Sequence, residues 1–169
     1  MGKGAKISVA GSAVAVAAII GAIMFVSPTR ALSAAIMRDC IGVVKQKTKG
    51  VEIISATAIQ PEPNRRKVED FNRATQAVIS RGDIVPSEPS VLIDFRTDRG
   101  DGKALCTYFV ELETGSGTYS GVSAHDVQIG LNSLSGLEMA FMKRFDVGRL
   151  DRALSLIPIF GVVQKFYLD

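Results

Sequence analysis

SVLIDFRTDRGDGKALCTYFVELE, residues 90–113, carries the clearest strand pattern in the sequence. Residues 90–97 and 103–113 are rich in β-branched and aromatic side chains, which favour strands. The run between them, residues 98–102, is composed of turn-forming residues. The two strands are therefore predicted to pair as an antiparallel hairpin. Apolar residues of the second strand do not alternate perfectly, which indicates a bulge or a strand covered on both faces.

Two further strand patterns lie outside the hairpin. Residues 51–59, VEIISATAI, are rich in β-branched side chains, and residues 118–122, TYSGV, follow a Gly-rich turn at residues 114–117. Because strands that follow each other in the chain commonly pair, these segments are predicted to extend the hairpin. We expect one antiparallel sheet of roughly three to five strands.

Helices are predicted on both sides of the hairpin in the chain. Residues 64–79 place their apolar side chains on one helical face. Ser135 and Glu138 form a capping box, which opens a helix from Gly136 to about Phe145. Together with the strands, these helices predict an α+β domain, in which helices pack on one face of an antiparallel sheet.

Cys106 lies in the middle of the second hairpin strand and has a candidate partner in Cys40. After Pro28, the residues Leu32, Ile36 and Cys40 recur at four-residue steps. This spacing predicts an amphipathic helix with Cys40 on its buried face. If the domain lies outside the cytoplasm, a Cys40–Cys106 disulfide is predicted to join helix and sheet. The alternative is two unrelated buried thiols.

An apolar run precedes that helix. Residues 7–26, ISVAGSAVAVAAIIGAIMFV, contain no charged residue. As a helix this run would rise about 30 Å, the thickness of the hydrocarbon core of a bilayer. Lys3 and Lys6 stand before it, and positive charge favours the cytoplasmic side. The run is predicted to be a single-pass transmembrane helix in the cell inner membrane, with a cytoplasmic N-terminus and a periplasmic domain.

A cleaved signal peptide is the alternative interpretation of the same run. Ala31 and Ser33 meet the small-residue requirement before a cleavage point, and cleavage would release a periplasmic or secreted chain. Two observations favour a retained anchor. The run is longer than the usual apolar region of a signal peptide, about 7–15 residues. Ser27 followed by Pro28 is typical of a helix start, and that helix would contain the cleavage site.

A small-residue face in the apolar run predicts a protein partner. Ala13, Ala17 and Gly21 recur every four residues, and such a face lets another membrane helix approach closely. The pattern has two interpretations. One is lateral association with another membrane helix, and the other is chance, since small residues are common in any span of this composition.

The C-terminal region contains a second apolar segment. Residues 153–163, ALSLIPIFGVV, are too few to span a membrane and are interrupted by Pro158. Three uses are open: a last strand of the sheet, an interfacial segment on the membrane surface, or a docking segment for a partner. In the last two uses, Phe160, Phe166 and Tyr167 would make the contacts.

Charge and composition exclude several functional classes. The formal net charge is +3, of which Lys3 and Lys6 supply two charges. The sequence has no basic patch with interleaved aromatic residues, so nucleic-acid binding is not predicted. The two cysteines form no C-x-x-C pair and there is one histidine, so no metal site is predicted. No phosphate-binding or other cofactor motif is present, so no cofactor is predicted.

These patterns divide the chain into three parts. Residues 1–27 are a cytoplasmic leader and transmembrane helix, or a signal peptide; residues 28–152 are an extracytoplasmic α+β domain; residues 153–169 are the apolar tail.

The predicted function is a non-enzymatic, membrane-anchored accessory or assembly subunit, whose partners are the lipid bilayer and other subunits of a larger membrane complex. One alternative is a small binding module, periplasmic or secreted after cleavage. The other is a hydrolase using His125 and Asp126, which are only adjacent in sequence, whereas a triad must assemble in space.

Overall fold

The computed structural model of the protein describes residues 21, 26–62, 68–140 and 142–166. Within these ranges the chain forms an α+β fold built on a seven-stranded sheet. In chain order the elements are α1 (Pro28–Lys47), β1 (Glu52–Glu62), a 3₁₀ turn (Val68–Asp70), α2 (Arg73–Ser80), β2 (Ile84–Thr97), β3 (Gly100–Glu113), β4 (Thr118–Ile129), β5 (Asn132–Ser133), α3 (Gly136–Ala140), β6 (Phe145–Val147), α4 (Arg149–Leu154) and β7 (Val163–Lys165).

The predicted hairpin is confirmed and forms the centre of the sheet. β2 and β3 pair in antiparallel fashion, with Thr97 opposite Gly100 at the turn. The pairing extends back to Ile84, so the first strand is longer than predicted. The predicted irregularity of the second strand is found in its pairing with β4, where the register shifts after Thr107 and again after Phe109.

The sheet differs from the prediction in size and in one pairing. Its strand order is β5–β4–β3–β2–β1–β7, and β6 also pairs with β4, so the sheet has seven strands. Six of them pair in antiparallel fashion, whereas β7 runs parallel to β1. A parallel pair needs a long crossover instead of a tight turn. No local turn pattern in the sequence therefore predicts this pairing.

Helix α1 starts as the sequence predicts. Ser27 is the N-cap, and its hydroxyl oxygen accepts a hydrogen bond from the backbone N–H of Arg30 at 3.2 Å. Pro28 occupies the first turn, where its missing N–H costs nothing. Lys45 and Lys47 lie in the last turn, near the negative end of the helix dipole.

The burial of α1 exceeds that of an amphipathic helix. Every residue from 31 to 37 is buried, although only one side of a helix can face a sheet. Helix α4 packs against α1 as well, and the Arg38 guanidinium donates hydrogen bonds to the backbone oxygens of Leu154 and Ile157. The first half of α1 therefore lies between the sheet and the C-terminal segment of the chain.

The predicted disulfide is present. Cys40 of α1 and Cys106 of β3 are bonded, with a Cα–Cα distance of 6.0 Å, and both residues are fully buried. Their sulfurs lie in the main core cluster, among side chains of α1 and of the central strands. The bond fixes the helix to the middle of the sheet.

The prediction that helices pack on one face holds for α1 but not for the segment before α2. In β3, Tyr108 points towards α1, and the next residue, Phe109, points to the opposite face because strand side chains alternate. The ring of Phe71 lies 5.8 Å from that of Phe109. Part of the β1–β2 connection therefore covers the second face, and α2 itself has no buried residue.

Two segments end differently from their predictions. The helix that begins at Gly136 stops at Ala140, and Phe145 instead begins β6, where it pairs with Val122 of β4. Residues 145–147 form backbone hydrogen bonds with the free edge of β4 instead of continuing the helix. In the apolar tail, α4 runs to Leu154 and the last strand begins only at Val163.

Among the described residues, no helix combines the length and the apolar character needed to cross a bilayer. The predicted span, residues 7–26, lies outside the described residues except for Gly21 and Val26. The transmembrane helix therefore stays a prediction from the sequence.

Candidate functional site

A polar cleft lies between the second half of α1 and the region of α3. It is a cavity of about 300 Å³. Helix α1 contributes residues at three- and four-residue spacing, which places them on one side of the helix. The residues lining the cleft are Asp39, Val43, Gln46, Lys47, Glu138, Met142 and Lys143.

An ion pair closes one side of this cleft. The Lys47 ammonium lies 2.7 Å from a Glu138 carboxylate oxygen. The other carboxylate oxygen of Glu138 accepts hydrogen bonds from the backbone N–H and the hydroxyl of Ser135, each at 2.9 Å. The bond from Lys47, followed by those from Ser135, lowers the pKa of Glu138 to about 2. The capping box is confirmed, and its glutamate also binds α1.

A buried tyrosine, Tyr108, forms a hydrogen bond with Asp39, one of the residues that line the cleft. The Tyr108 hydroxyl lies 2.7 Å from the Asp39 carboxylate and 3.2 Å from the backbone oxygen of Ile36. Burial raises the pKa of Asp39, and the hydrogen bond from Tyr108 opposes that rise. Burial, followed by the nearby charge of Asp39, also raises the pKa of Tyr108 well above its usual value. Tyr108 is therefore a neutral donor at physiological pH.

Replacing Tyr108 by Phe should lower the free energy of unfolding by about 2 kcal/mol, because a charge-assisted hydrogen bond is lost and Asp39 stays partly buried. Chemical denaturation at neutral pH measures the change. Tyr119→Phe is the matched control, since this tyrosine is only half-buried and its hydroxyl has no hydrogen bond among the described residues. Its effect should stay within about 0.5 kcal/mol. Equal effects of the two variants would contradict the role given to Tyr108.

The raised pKa of Asp39 also determines whether its contribution to the stability of the fold rises or falls with pH. A carboxyl group whose pKa is higher in the folded state contributes stability below its unfolded-state pKa. That contribution is lost as the pH rises through the folded-state value. Asp39 therefore favours the fold in mild acid more than at neutral pH.

The cleft presents opposite charges at short range. Lys47 and Lys143 supply ammonium groups, and Asp39 and Glu138 supply carboxylates. Glu138 is held by Lys47 and Asp39 by Tyr108, so each of these carboxylates already has a partner inside the protein. Within the described ranges, no cluster of three or more His, Cys, Asp or Glu side chains could hold a metal ion.

Among the described residues, no hydrogen bond joins His125 to Asp126, the two residues of the hydrolase alternative. His125 is exposed on β4, at a register shift opposite β3. The Asp126 carboxylate accepts a hydrogen bond from the Gln128 amide at 3.0 Å, and the Ser120 hydroxyl lies 3.5 Å from the backbone oxygen of Glu111. A triad needs the base to contact both the nucleophile and the orienting carboxylate.

A second surface is formed by the C-terminal segment. Leu156, Ile157 and Val163 are 43%, 57% and 60% exposed, and Phe160 is fully exposed. Phe160 stands in a turn that is closed by a hydrogen bond of 3.1 Å from the Val162 N–H to the Ile159 oxygen. We call residues 156–163 the apolar turn segment.

The apolar turn segment lies beside the start of α1. The Arg30 guanidinium sits 4.9 Å from the centre of the Phe166 ring, a cation–π contact. Arg30 also shares a cavity of about 280 Å³ with Leu156, Pro158 and Val162. The start of the domain and its C-terminal region therefore form one surface.

The predicted contact residues are only partly brought together. Phe160 is free for a contact outside the domain, whereas Phe166 is half-buried against Arg30. Ala13, Ala17 and Tyr167 lie outside the described residues, and a Cβ placed on Gly21 meets no described atom within 4 Å. The sequence gives no signal for the cleft, because its two sides come from segments 91 residues apart.

A scan against protein-family models matches no family, and neither a search of curated proteins nor a search of solved structures finds a match.

Proposed function

We propose that the protein is a non-enzymatic accessory or assembly subunit, held in the inner membrane by residues 7–26, with its α+β domain in the periplasm. The observation that carries this proposal is the burial of the start of α1. The alternative cleavage point after Ser33 lies inside this helix, which begins at Pro28.

Cleavage would remove part of the core. Ala31 and Ser33 are fully buried and Leu32 is nearly so. These residues are helical and packed between the sheet and the C-terminal segment, so a chain cleaved after Ser33 would fold without them. Retention of the N-terminal segment therefore agrees better with the fold than its removal.

The disulfide supports an extracytoplasmic domain. Structural disulfides form and persist in oxidising compartments such as the bacterial periplasm and are rare in the cytosol. Cys40 and Cys106 are bonded deep in the core, where the bond joins two elements far apart in the chain. The orientation predicted from Lys3 and Lys6 leads to the same compartment.

The partner contact is proposed at the small-residue face of the span. The full chain, extracted from its own membrane in mild detergent, should migrate on a native gel in a complex larger than itself. Ala17→Leu should dissociate this complex, because a bulky side chain keeps the partner helix away. Ala15→Leu is the matched control: it makes the same substitution on the opposite side of the helix and should leave the complex intact. Recovery of the wild-type protein alone would refute the subunit proposal.

A periplasmic or secreted binding module is the second candidate, and the polar cleft of about 300 Å³ favours it. Charged groups of both signs line it, as a site for a small zwitterionic ligand would require. Mass spectrometry of the mature N-terminus separates the two candidates. A chain that starts near Ala34 supports the released module, and a chain that retains residues 7–26 supports the anchored subunit.

A further inference from the structure

The apolar turn segment has the composition of a contact surface. Residues 156–163 contain no charged side chain, and four of the eight are large apolar residues with much of their surface exposed. Single exposed apolar residues are ordinary, but a contiguous group marks a site of interaction with a protein or a membrane. The turn at Phe160 presents its ring wholly outside the domain.

This segment is held in place by α1. Arg38 donates to the backbone oxygens of Leu154 and Ile157, and the second of these distances is 3.3 Å. β7 then pairs with β1, with Val163 opposite Ser55. Both ends of the apolar turn segment are therefore fixed to the domain.

The predicted span leaves the domain next to this surface. Val26 is the last residue of the apolar run and is buried in the domain core, and α1 begins two residues later. Arg30, which lines the same cavity as Leu156, is four residues beyond Val26, and four residues reach at most about 14 Å. Arg30 and the residues around it therefore lie close to the membrane surface if the span is inserted.

The charges around the segment suit an anionic membrane surface. Residues 148–166 contain three basic residues, Arg149, Arg152 and Lys165, and one acidic residue, Asp151, and Asp94 of β2 lies close enough to Lys165 to offset part of its charge. The Asp151 carboxylate accepts a hydrogen bond of 2.8 Å from the Gly148 N–H within its own helix. Arg30 adds a further positive charge on this side. Basic side chains next to exposed apolar ones are typical of segments that lie in the membrane interface.

We infer that the apolar turn segment lies in the interface of the membrane that holds the anchor, with Phe160 among the acyl chains and the basic residues at anionic headgroups. The inference rests on the proposed anchoring. With the span it gives the domain two attachments to the bilayer, and two attachments fix its orientation where a single linker would leave it free to rotate.

The test uses the full chain in vesicles of phosphatidylcholine and phosphatidylglycerol in a two-to-one ratio. A nitroxide is attached at Phe160→Cys and, in a second variant that keeps the phenylalanine, at Ile157→Cys. The native cysteines do not react, because they are bonded to each other. Leu131→Cys is the matched control, since Leu131 is equally exposed but lies in the β4–β5 turn. Paramagnetic resonance then measures collisions with oxygen, which enters lipid, and with a nickel chelate, which stays in water.

The ratio of oxygen to nickel collisions should be several-fold higher at positions 157 and 160 than at position 131. It should fall when phosphatidylcholine replaces all the phosphatidylglycerol. Equal ratios at the three positions, in protein that resists alkaline extraction from the vesicles, would overturn the interfacial contact and leave the anchor standing. Protein that alkaline extraction removes from the vesicles would overturn the anchored function itself.

Discussion

A chain that begins at Ala34 should fail to form a stable domain, whereas a chain that begins at Val26 should melt cooperatively. The shorter chain lacks Leu32, whose loss leaves a cavity that costs about 2–5 kcal/mol. It also lacks the Ser27 cap, worth about 1 kcal/mol. Together these losses approach the whole stability of many domains, about 5–15 kcal/mol.

Circular dichroism and thermal melting of the two purified chains measure this difference. The chain from Val26 is the control, because it keeps the cap and all of α1 while lacking most of the predicted span. Leu32→Ala in that chain isolates the packing part and should lower the free energy of unfolding by about 2–5 kcal/mol. Equal melting temperatures for the chains from Val26 and Ala34 would remove the main support for a retained anchor.

Removing the disulfide should have the second large effect. Cys40 and Cys106 are 66 residues apart, and closing a loop of that length is worth about 4 kcal/mol in the chain-entropy model. The double variant Cys40→Ala with Cys106→Ala should therefore melt about 10–15 °C lower, given the usual relation for a domain of this size. Thermal melting under non-reducing conditions measures the shift.

The single variants provide the control for this experiment. Each single substitution already breaks the bond, so the double variant should be little less stable than either single one, far from the sum of the two. Thiol blocking before a non-reducing gel checks the bond itself. Two cysteines that alkylate freely in the native protein would refute the disulfide and, with it, this predicted loss.

Local patterns predicted the elements whose determinants lie close together in the chain. The hairpin of β2 and β3 follows from two strand-forming runs around a short turn, and the N-cap at Ser27 follows from its place before Pro28. The Cys40–Cys106 bond was also predictable, since few cysteines are available and each falls within a clear element.

Interactions over long sequence separations were not predictable. The contact from Arg38 to the Leu154 oxygen spans 116 residues, and no pattern in either segment indicates it. The helix spacing therefore predicted a single buried stripe, whereas α1 is covered on two sides. The pairing of Lys47 with Glu138 was missed for the same reason, although Glu138 had been assigned to the capping box of its own helix.

Pairing with distant strands also explains where two of the segments end. The helix from Gly136 was predicted to reach Phe145, but the open edge of β4 offers backbone hydrogen bonds to residues 145–147 that a local pattern does not contain. The apolar tail was divided in a similar way, because β1 pairs only with residues 163–165 and leaves the preceding turn exposed.

The burial of α1 between the sheet and the C-terminal segment also determines when the protein can finish folding. The helix is among the first parts of the domain to be synthesised, but the residues that cover it are among the last. Contacts over such separations form late, and until then the apolar side of the helix is open to chaperones and proteases. A chain that stops short of Arg149 would keep that side uncovered. An interrupted copy would therefore expose apolar side chains of α1 that the folded domain buries.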